Sequence, residues 1–180
     1  KPLKIRWRGA TSVNASSYEI LEAMKQAGCE EMGYGIESVS QNILNINNKK
    51  VKVEKMYEAL ANARKAGLRT RLFFIIGLPG EETGVADRTI AFIKKTRPSG
   101  VDLSTFVPFP GSDIYERPEQ YGIGIPLVNY KDYVMTLGLL NDEKERGFFY
   151  KHPGISRDEL IDERERILDF ISEYNLALNQ

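Results

Sequence analysis

The stretch RLFFIIGLPGEETG, residues 71–84, decides the fold class of this chain. The unbroken apolar run at residues 72–76 is typical of a strand covered on both faces, as the strands of parallel sheets are. Gly77, Pro79 and Gly80 then end the strand in a turn, and two acidic residues follow. By itself this turn fits two interpretations, a scaffold connection or the rim of a ligand site.

The sequence around this stretch repeats the same order of elements three times. A helical pattern of apolar residues ends at a small residue, and an apolar strand follows; the helices end at Gly28, Gly67 and Gly100. Successive strand and helix units imply parallel strands joined by right-handed crossovers. We therefore predict an α/β fold, either a partial (βα) barrel or an open parallel sheet. The four predicted strands cover residues 3–8, 31–36, 69–76 and 101–107.

The last part of the chain has a different pattern. Residues 128–140 and 157–178 predict two helices flanking a loop. The second of them places apolar residues among many charges, which is typical of an amphipathic helix that covers a core. We therefore predict two parts, in which residues 1–116 form the strand and helix units and residues 117–180 form a helical extension packed on them.

Composition limits the class of protein. The 180 residues are 42% hydrophobic, which is enough for one domain with a buried core. Lys and Arg together number 25, as do Asp and Glu, so no net charge favours nucleic acid as a partner. No uncharged apolar run of about 18 residues occurs, and no membrane span is predicted. The single cysteine, Cys29, favours a cytoplasmic setting and leaves no cysteine cluster for a metal.

Unusual clusters of residues follow the four predicted strands: WRGATS, GIES, GLPGEE and PFPGS. The carboxyl ends of parallel strands lie at one edge of the sheet, where α/β folds bind their ligands. We therefore predict one shared pocket at this edge. The alternative is that Glu37 and Ser38 only begin a helix, and that Gly77 and Gly80 only shape a turn.

Several common kinds of site lack their motifs here. The GLPGEE cluster is not followed by the Gly-Lys-Ser/Thr of a phosphate-binding loop, and it lacks the glycine spacing of a dinucleotide site. The single histidine, His152, stands in a predicted loop, so no Ser-His-Asp set can be assembled around it. Cys29 is predicted to be a small buried residue rather than a nucleophile. These patterns assign no catalytic residue and no metal ligand.

Three ordered stretches carry a family resemblance: AGCEEMGYGIESVSQNILNINNKK at residues 27–50, RKAGLRTRLFFIIGLPGEET at 64–83 and FVPFPGSDIY at 106–115. Together they resemble the radical S-adenosylmethionine (SAM) superfamily over residues 3–116. The branch they resemble is cobalamin-linked and includes the anaerobic magnesium-protoporphyrin IX monomethyl ester oxidative cyclases and related methyltransferases. The resemblance implies a six-stranded partial (βα) barrel that holds SAM across its strand ends, with our four strands as the third to sixth.

The resemblance also implies an enzyme activity and its cofactors. In this family a reduced [4Fe–4S] cluster cleaves SAM to methionine and a 5′-deoxyadenosyl radical. Its cysteines, spaced Cys-x3-Cys-x2-Cys after the first strand, are not in this sequence. We therefore expect a fragment, inactive alone, whose missing N-terminal part carries the cluster loop and any cobalamin domain. The other expected partners are a small-molecule substrate and, through the open edge of the first strand, a second copy of the chain.

The resemblance implies eight cofactor-binding residues at three strand ends: Glu37 and Ser38 for ribose, Ile75, Ile76 and Gly77 for adenine, and Phe106, Val107 and Pro108 for the other adenine wall. Lys49 matches a family lysine to which no role can be given from the sequence. The family's acid after the second strand glycine falls on Gly80, and Glu81 stands one position further, so Glu81 is not assigned. Two alternatives stay open, a non-catalytic module for a nucleotide-like ligand and a structural half-barrel.

Overall fold

The structure, a computed structural model, describes residues 4–124 and 151–178. The helix predicted at residues 128–140 lies outside the described residues. The strands are β1 (Trp7–Thr11), β2 (Cys29–Glu37), β3 (Arg69–Ile76) and β4 (Gly100–Thr105). The α-helices are α1 (Tyr18–Gln26), α2 (Gln41–Ile46), α3 (Val53–Lys65), α4 (Val85–Thr96), α5 (Asp113–Glu116) and α6 (Arg157–Ala177). Short 3-10 helices cover Val13–Ala15 and Pro118–Tyr121.

The four strands form one parallel sheet in the order β1-β2-β3-β4. This order confirms the predicted α/β class, and β3 has the predicted bounds. β1 runs later than the predicted 3–8, because its pairing begins where Trp7 N donates to Gly28 O at 3.1 Å. β4 is shorter than the predicted 101–107, since the last bond of its ladder runs from Phe106 N to Ile76 O at 2.9 Å.

One face of the sheet carries the hydrophobic core. Alternate residues of the two central strands point into it and are almost completely buried, because helices cover this face. The buried strand residues are Met32, Tyr34 and Ile36 on β2 and Leu72, Phe74 and Ile76 on β3. The core cluster continues into α1, α3, α4 and α6 through Leu21, Met56, Phe92 and Ile167.

The opposite face of the sheet is more open and polar, and it will be called the open face. The prediction that β3 is covered on both faces is wrong for the described residues, because burial alternates along the strand and Phe73 is 37% exposed. Lower on this face, Arg71 pairs with Asp102 at 2.6 Å across β3 and β4. Glu31 lies 3.8 Å from both Arg8 and Arg69. On the open face, the charged side chains therefore lie toward the starts of the strands, and the apolar Phe73 lies further toward their carboxyl ends.

The long C-terminal helix α6 packs against α4 and β4. Its buried Glu163 accepts hydrogen bonds from Gly84 N at 2.6 Å and Ala86 N at 2.8 Å. An acid from a distant helix therefore satisfies the first amides of α4, which has no side-chain cap of its own. The boundary between residues 116 and 117 stays a prediction. None of the helices within residues 4–124 and 151–178 combines the length and apolar character needed to cross a bilayer.

Candidate functional site

The end of β2 presents a carboxylate that is held in place by a lysine. Glu37 Oε1 lies 2.7 Å from Lys49 Nζ, and both side chains are partly buried. Gly35 makes this arrangement possible, since a Cβ there would lie 2.5 Å from Glu37 Oε1 and 3.3 Å from Lys49 Nζ. The carboxylate therefore folds back over its own strand, and Lys49 gains the role that the sequence alone did not give it.

The backbone at Glu37 is strained. Its φ of 61° is rare for a residue with a side chain, and the pairing register of β2 with β3 shifts between Gly35 and Glu37. Ser38 follows with its amide donating to Ile36 O at 2.8 Å and its Oγ accepting from Ser40 N at 3.2 Å. Ser38 thus forms the turn into α2, whereas Glu37 Oε2 has no partner among the described residues and can accept from a ligand.

The end of β3 lies beside Glu37. β2 and β3 pair at Glu37 and Phe74, and the side chain of Ile75 follows on the open face. Ile76 is completely buried in the core, so only its backbone is near the site. Gly77 has a φ of 84° and is buried, which makes it a backbone element of the site as well.

The turn from Gly77 to Glu81 closes on a buried carboxyl group. Glu81 is 1% exposed, and its Oε2 accepts from Gly77 N at 3.2 Å. Glu81 N also donates to Leu78 O at 3.0 Å. Burial raises the pKa of Glu81 to about 7, because the ionised form is poorly solvated there. Sequence reasoning left this residue unassigned, and an acid directly after the Pro-Gly turn was the signal for it.

Two other segments hold the same turn from outside. Asn47 Nδ2, beyond the end of α2, donates to Pro79 O at 2.8 Å. On the other side, His152 Nε2 lies 2.9 Å from Leu78 O and 3.0 Å from Glu81 N. Burial lowers the pKa of His152, which favours the neutral ring. The histidine is therefore part of the support of the turn.

The third strand end completes the edge. Phe106 N donates to Ile76 O, which attaches the segment after β4 to the end of β3. Phe106 and Val107 are partly exposed, and Pro108 is buried. Phe106 and Val107 were predicted inside the last strand and Pro108 directly after it, but all three lie beyond it, because β4 ends at Thr105. The structure thus brings Glu37, Ile75, Gly77 and Phe106 to one edge of the sheet.

Metal ligands are not part of this arrangement. Within the described residues no group of three or more His, Cys, Asp or Glu side chains could hold a metal ion. The single cysteine, Cys29, is buried at the start of β2, and burial raises the pKa of its thiol. These residues do not fit an iron–sulfur cluster, which needs several cysteine thiolates.

Comparison with known proteins gives the family. The Radical SAM superfamily matches residues 3–111. An uncharacterised methyltransferase of Pyrococcus horikoshii is 33% identical over 114 residues, which cover 63% of this chain and 25% of that protein. The anaerobic magnesium-protoporphyrin IX monomethyl ester cyclase of Cereibacter sphaeroides is 23% identical over 163 residues, covering 89% of this chain and 24% of the cyclase. The chain spans about a quarter of the length of the curated relatives it matches.

A solved structure agrees with the fold. The radical S-adenosylmethionine methyltransferase TsrM from Kitasatospora setae, with cobalamin and a [4Fe–4S] cluster bound, superposes with a TM-score of 0.65 at 15% identity. The match covers 93% of this chain and 36% of TsrM, as expected for part of a larger barrel. The sequence relatives confirm the resemblance to the cyclase and methyltransferase types, and the structure of cobalamin-bound TsrM has the same fold. The four-stranded parallel sheet is part of a (βα) barrel, and the chain belongs to the radical SAM superfamily.

Proposed function

We propose that this chain supplies part of the SAM pocket of a radical SAM enzyme of the oxidative cyclase or methyltransferase type. The observation that carries the proposal is the Glu37 carboxylate, fixed by Lys49 at the edge where three strand ends meet. One carboxylate oxygen is engaged by the lysine and the other is open to a ligand. Both cyclases and methyltransferases occur among the relatives, so the reaction type is left between these two.

Each strand end has a separate part in this pocket. Glu37 Oε2 accepts from a ribose hydroxyl or from the methionine ammonium, and a charged acceptor makes such a bond about twice as strong as a neutral one. Ser38 shapes the turn that places Glu37. Ile75 offers an apolar side chain to the purine, while Ile76 and Gly77 contribute backbone. Phe106, Val107 and Pro108 form the facing wall, a role that rests on the resemblance.

The hydrogen bonds already made at the end of β3 determine which of its backbone groups can bind a ligand. Gly77 N already donates to Glu81, and the carbonyl of Ile76 already accepts from Phe106 N. The Gly77 carbonyl is therefore the backbone group that this end can offer to a ligand. A carbonyl pairs with a donor such as the exocyclic amino group of adenine.

The chemistry itself depends on groups outside this chain. SAM held by Glu37 and the end of β3 would supply a 5′-deoxyadenosyl group for radical chemistry, which would need one added electron and would have methionine as the leaving group. The residues of this chain orient SAM and exclude water, and they do not hold the cluster. We propose that the cluster loop and a cobalamin domain lie in the rest of a longer cytoplasmic polypeptide, which acts on a small molecule. On this proposal the chain alone forms no 5′-deoxyadenosine.

Ligand binding tests the pocket directly. Titration calorimetry with S-adenosylhomocysteine should show binding to the wild-type chain, and Glu37→Ala should weaken it at least about tenfold, the effect of losing a charged hydrogen bond. Glu31→Ala is the matched control, because Glu31 lies on the same strand and face but at the opposite end. Equal affinities for wild type and Glu37→Ala would contradict the proposed pocket.

A second candidate function is a non-catalytic module for a nucleotide-like ligand. It is favoured by the single cysteine of the sequence and by the lack of metal-ligand groups in the described part. The complete coding sequence separates the two candidates, since an upstream Cys-x3-Cys-x2-Cys motif would support the enzyme. Formation of 5′-deoxyadenosine by this chain alone, after anaerobic iron–sulfur reconstitution, would contradict our division of roles between chain and cluster.

A further inference from the structure

The carboxyl group of Glu81 lies inside the protein, directly behind the end of β3. Its Oε2 is bonded to Gly77 N, while its Oε1 is buried without a hydrogen-bond partner among the described residues. Burying a carboxyl group with one oxygen unpaired costs free energy, and an apolar residue of similar size would avoid this cost. Packing alone therefore does not explain why a glutamate stands at position 81.

The backbone that Glu81 restrains contains two glycines, which have more conformational freedom than other residues. Gly77 and Gly80 have φ angles of 84° and 90°, a region that glycine enters freely but does not favour over others. The bond from Gly77 N to Glu81 Oε2 spans the turn, so it fixes the two ends of the turn relative to each other. Without it, the turn would lose the side-chain bond that ties its last residue to its first.

A second restraint on the turn comes from α2. Asn47 Nδ2 donates to Pro79 O and to Ile43 O, each at 2.8 Å, and so joins the turn to the helix. Two residues further along, Lys49 holds Glu37 at the end of β2. Residues 47–49 therefore connect the ends of β2 and β3, and a shift of the turn would be passed to the lysine that orients Glu37.

We propose that Glu81 and Asn47 are positioning residues of the SAM pocket, which hold the Gly77–Glu81 turn so that β3 and Glu37 meet the ligand in one fixed arrangement. This inference rests on the proposed function. Neither side chain touches the ligand in this arrangement; Glu81 acts through Gly77 N, and Asn47 acts through Pro79 O. Preorganisation of this kind improves affinity by removing the ordering cost at binding.

Two substitutions of Glu81 separate positioning from a direct effect of charge. Glu81→Gln keeps an oxygen at the same reach for Gly77 N but removes the charge. Glu81→Asp keeps the charge but is one methylene shorter, so its oxygens no longer reach Gly77 N. A positioning role predicts that Gln preserves binding and Asp does not, whereas a charge that acts on the ligand predicts the reverse order. The same pair of substitutions at exposed Glu82 is the matched control.

The experiment is calorimetric titration of the full chain with S-adenosylhomocysteine at pH 8. Glu81→Asp and Asn47→Ala should each raise Kd at least about tenfold, the order expected for one lost hydrogen bond. Glu81→Gln and both Glu82 variants should stay within about threefold of the wild type. Hydrogen exchange at the Gly77 amide should be faster in Glu81→Asp and unchanged in Glu81→Gln, which reports the restraint independently of any ligand.

Wild-type affinity in both Glu81→Asp and Asn47→Ala would overturn the inference and leave the proposed function intact. Loss of binding in Glu81→Gln but not in Glu81→Asp, with no change in Gly77 exchange, would assign the effect to charge and also overturn it. If Glu81→Asp does not fold, Asn47→Ala decides, since its side chain is not a buried acid. Absence of binding by the wild-type chain would instead contradict the proposed function on which the inference rests.

Discussion

The stability of this chain should depend on pH through Glu81. Burial raises the pKa of its carboxyl from an ordinary value of 4.5 to about 7, and the bond from Gly77 N and the nearby Arg88 oppose the rise only partly. The folded chain therefore binds this proton more tightly than the unfolded chain does. The contribution of Glu81 to stability is fully present below pH 4.5, falls as the pH rises to about 7 and is constant above it.

The size of the effect follows from the two pKa values. At about 1.4 kcal/mol for each pH unit between 4.5 and about 7, ionisation of Glu81 lowers the free energy of unfolding by about 3 kcal/mol. Glu81→Gln resembles the protonated form and cannot ionise. We therefore expect it to match the wild type at pH 4.5 and to be about 3 kcal/mol more stable at pH 8.

Urea unfolding at several pH values measures this difference. His152 has the opposite effect, because burial lowers its pKa and its stabilising contribution is lost as the pH falls. The difference between wild type and Glu81→Gln removes this term, since both chains keep the histidine. Glu82→Gln, at an exposed position, should show no such trend. A difference between wild type and Glu81→Gln that stays constant from pH 4.5 to 8 would refute the reasoning.

Three further predictions concern other parts of the molecule. Gly35→Ala should weaken S-adenosylhomocysteine binding in calorimetry, because its Cβ would displace Glu37 from Lys49, whereas Gly124→Ala, with open space around it, should not. Glu163→Ala should lower the free energy of unfolding by about 1–2 kcal/mol in urea titrations, as loss of a helix cap does, and exposed Glu165→Ala should not. Sedimentation velocity should show self-association at high concentration through the outer edge of β1, which no described strand pairs, and a strict monomer would count against an open edge.

The sequence was sufficient for the sheet but less so for its ends. β3 could be placed at 69–76 because its apolar run and the glycine after it are local signals. β1 was placed too early, since its start depends on a bond to Gly28 and on a register shift between Trp7 and Arg8. Pairing partners of this kind lie outside any local window. The cover of both faces of β3 was also inferred from a local run, although burial of a face depends on which elements pack there.

The candidate site was also predicted only in part from the sequence. Glu37 was found through its motif, but its partner Lys49 lies twelve residues further along, and no spacing rule joins a strand end to that position. Asn47 and Pro79 are 32 residues apart, and His152 reaches Leu78 across 74 residues. Such contacts are set by how α2 and the segment before α6 pack on the sheet. The residues that hold a turn can be recognised from the sequence only when they are close to it along the chain.

Glycines on the open face of β2 connect the sheet to the site. Glycine weakens a strand, so its presence at alternate positions needs a reason from the side chains around it. A Cβ at Gly33 would lie 2.8 Å from Cε2 of Phe73, and one at Gly35 would meet the Glu37 carboxylate. The missing side chains thus leave room for Phe73 from β3 and for the pair of Glu37 with Lys49. These residues occupy the open face near the carboxyl ends of the strands. The absence of side chains at Gly33 and Gly35 therefore helps to determine the shape of the proposed pocket.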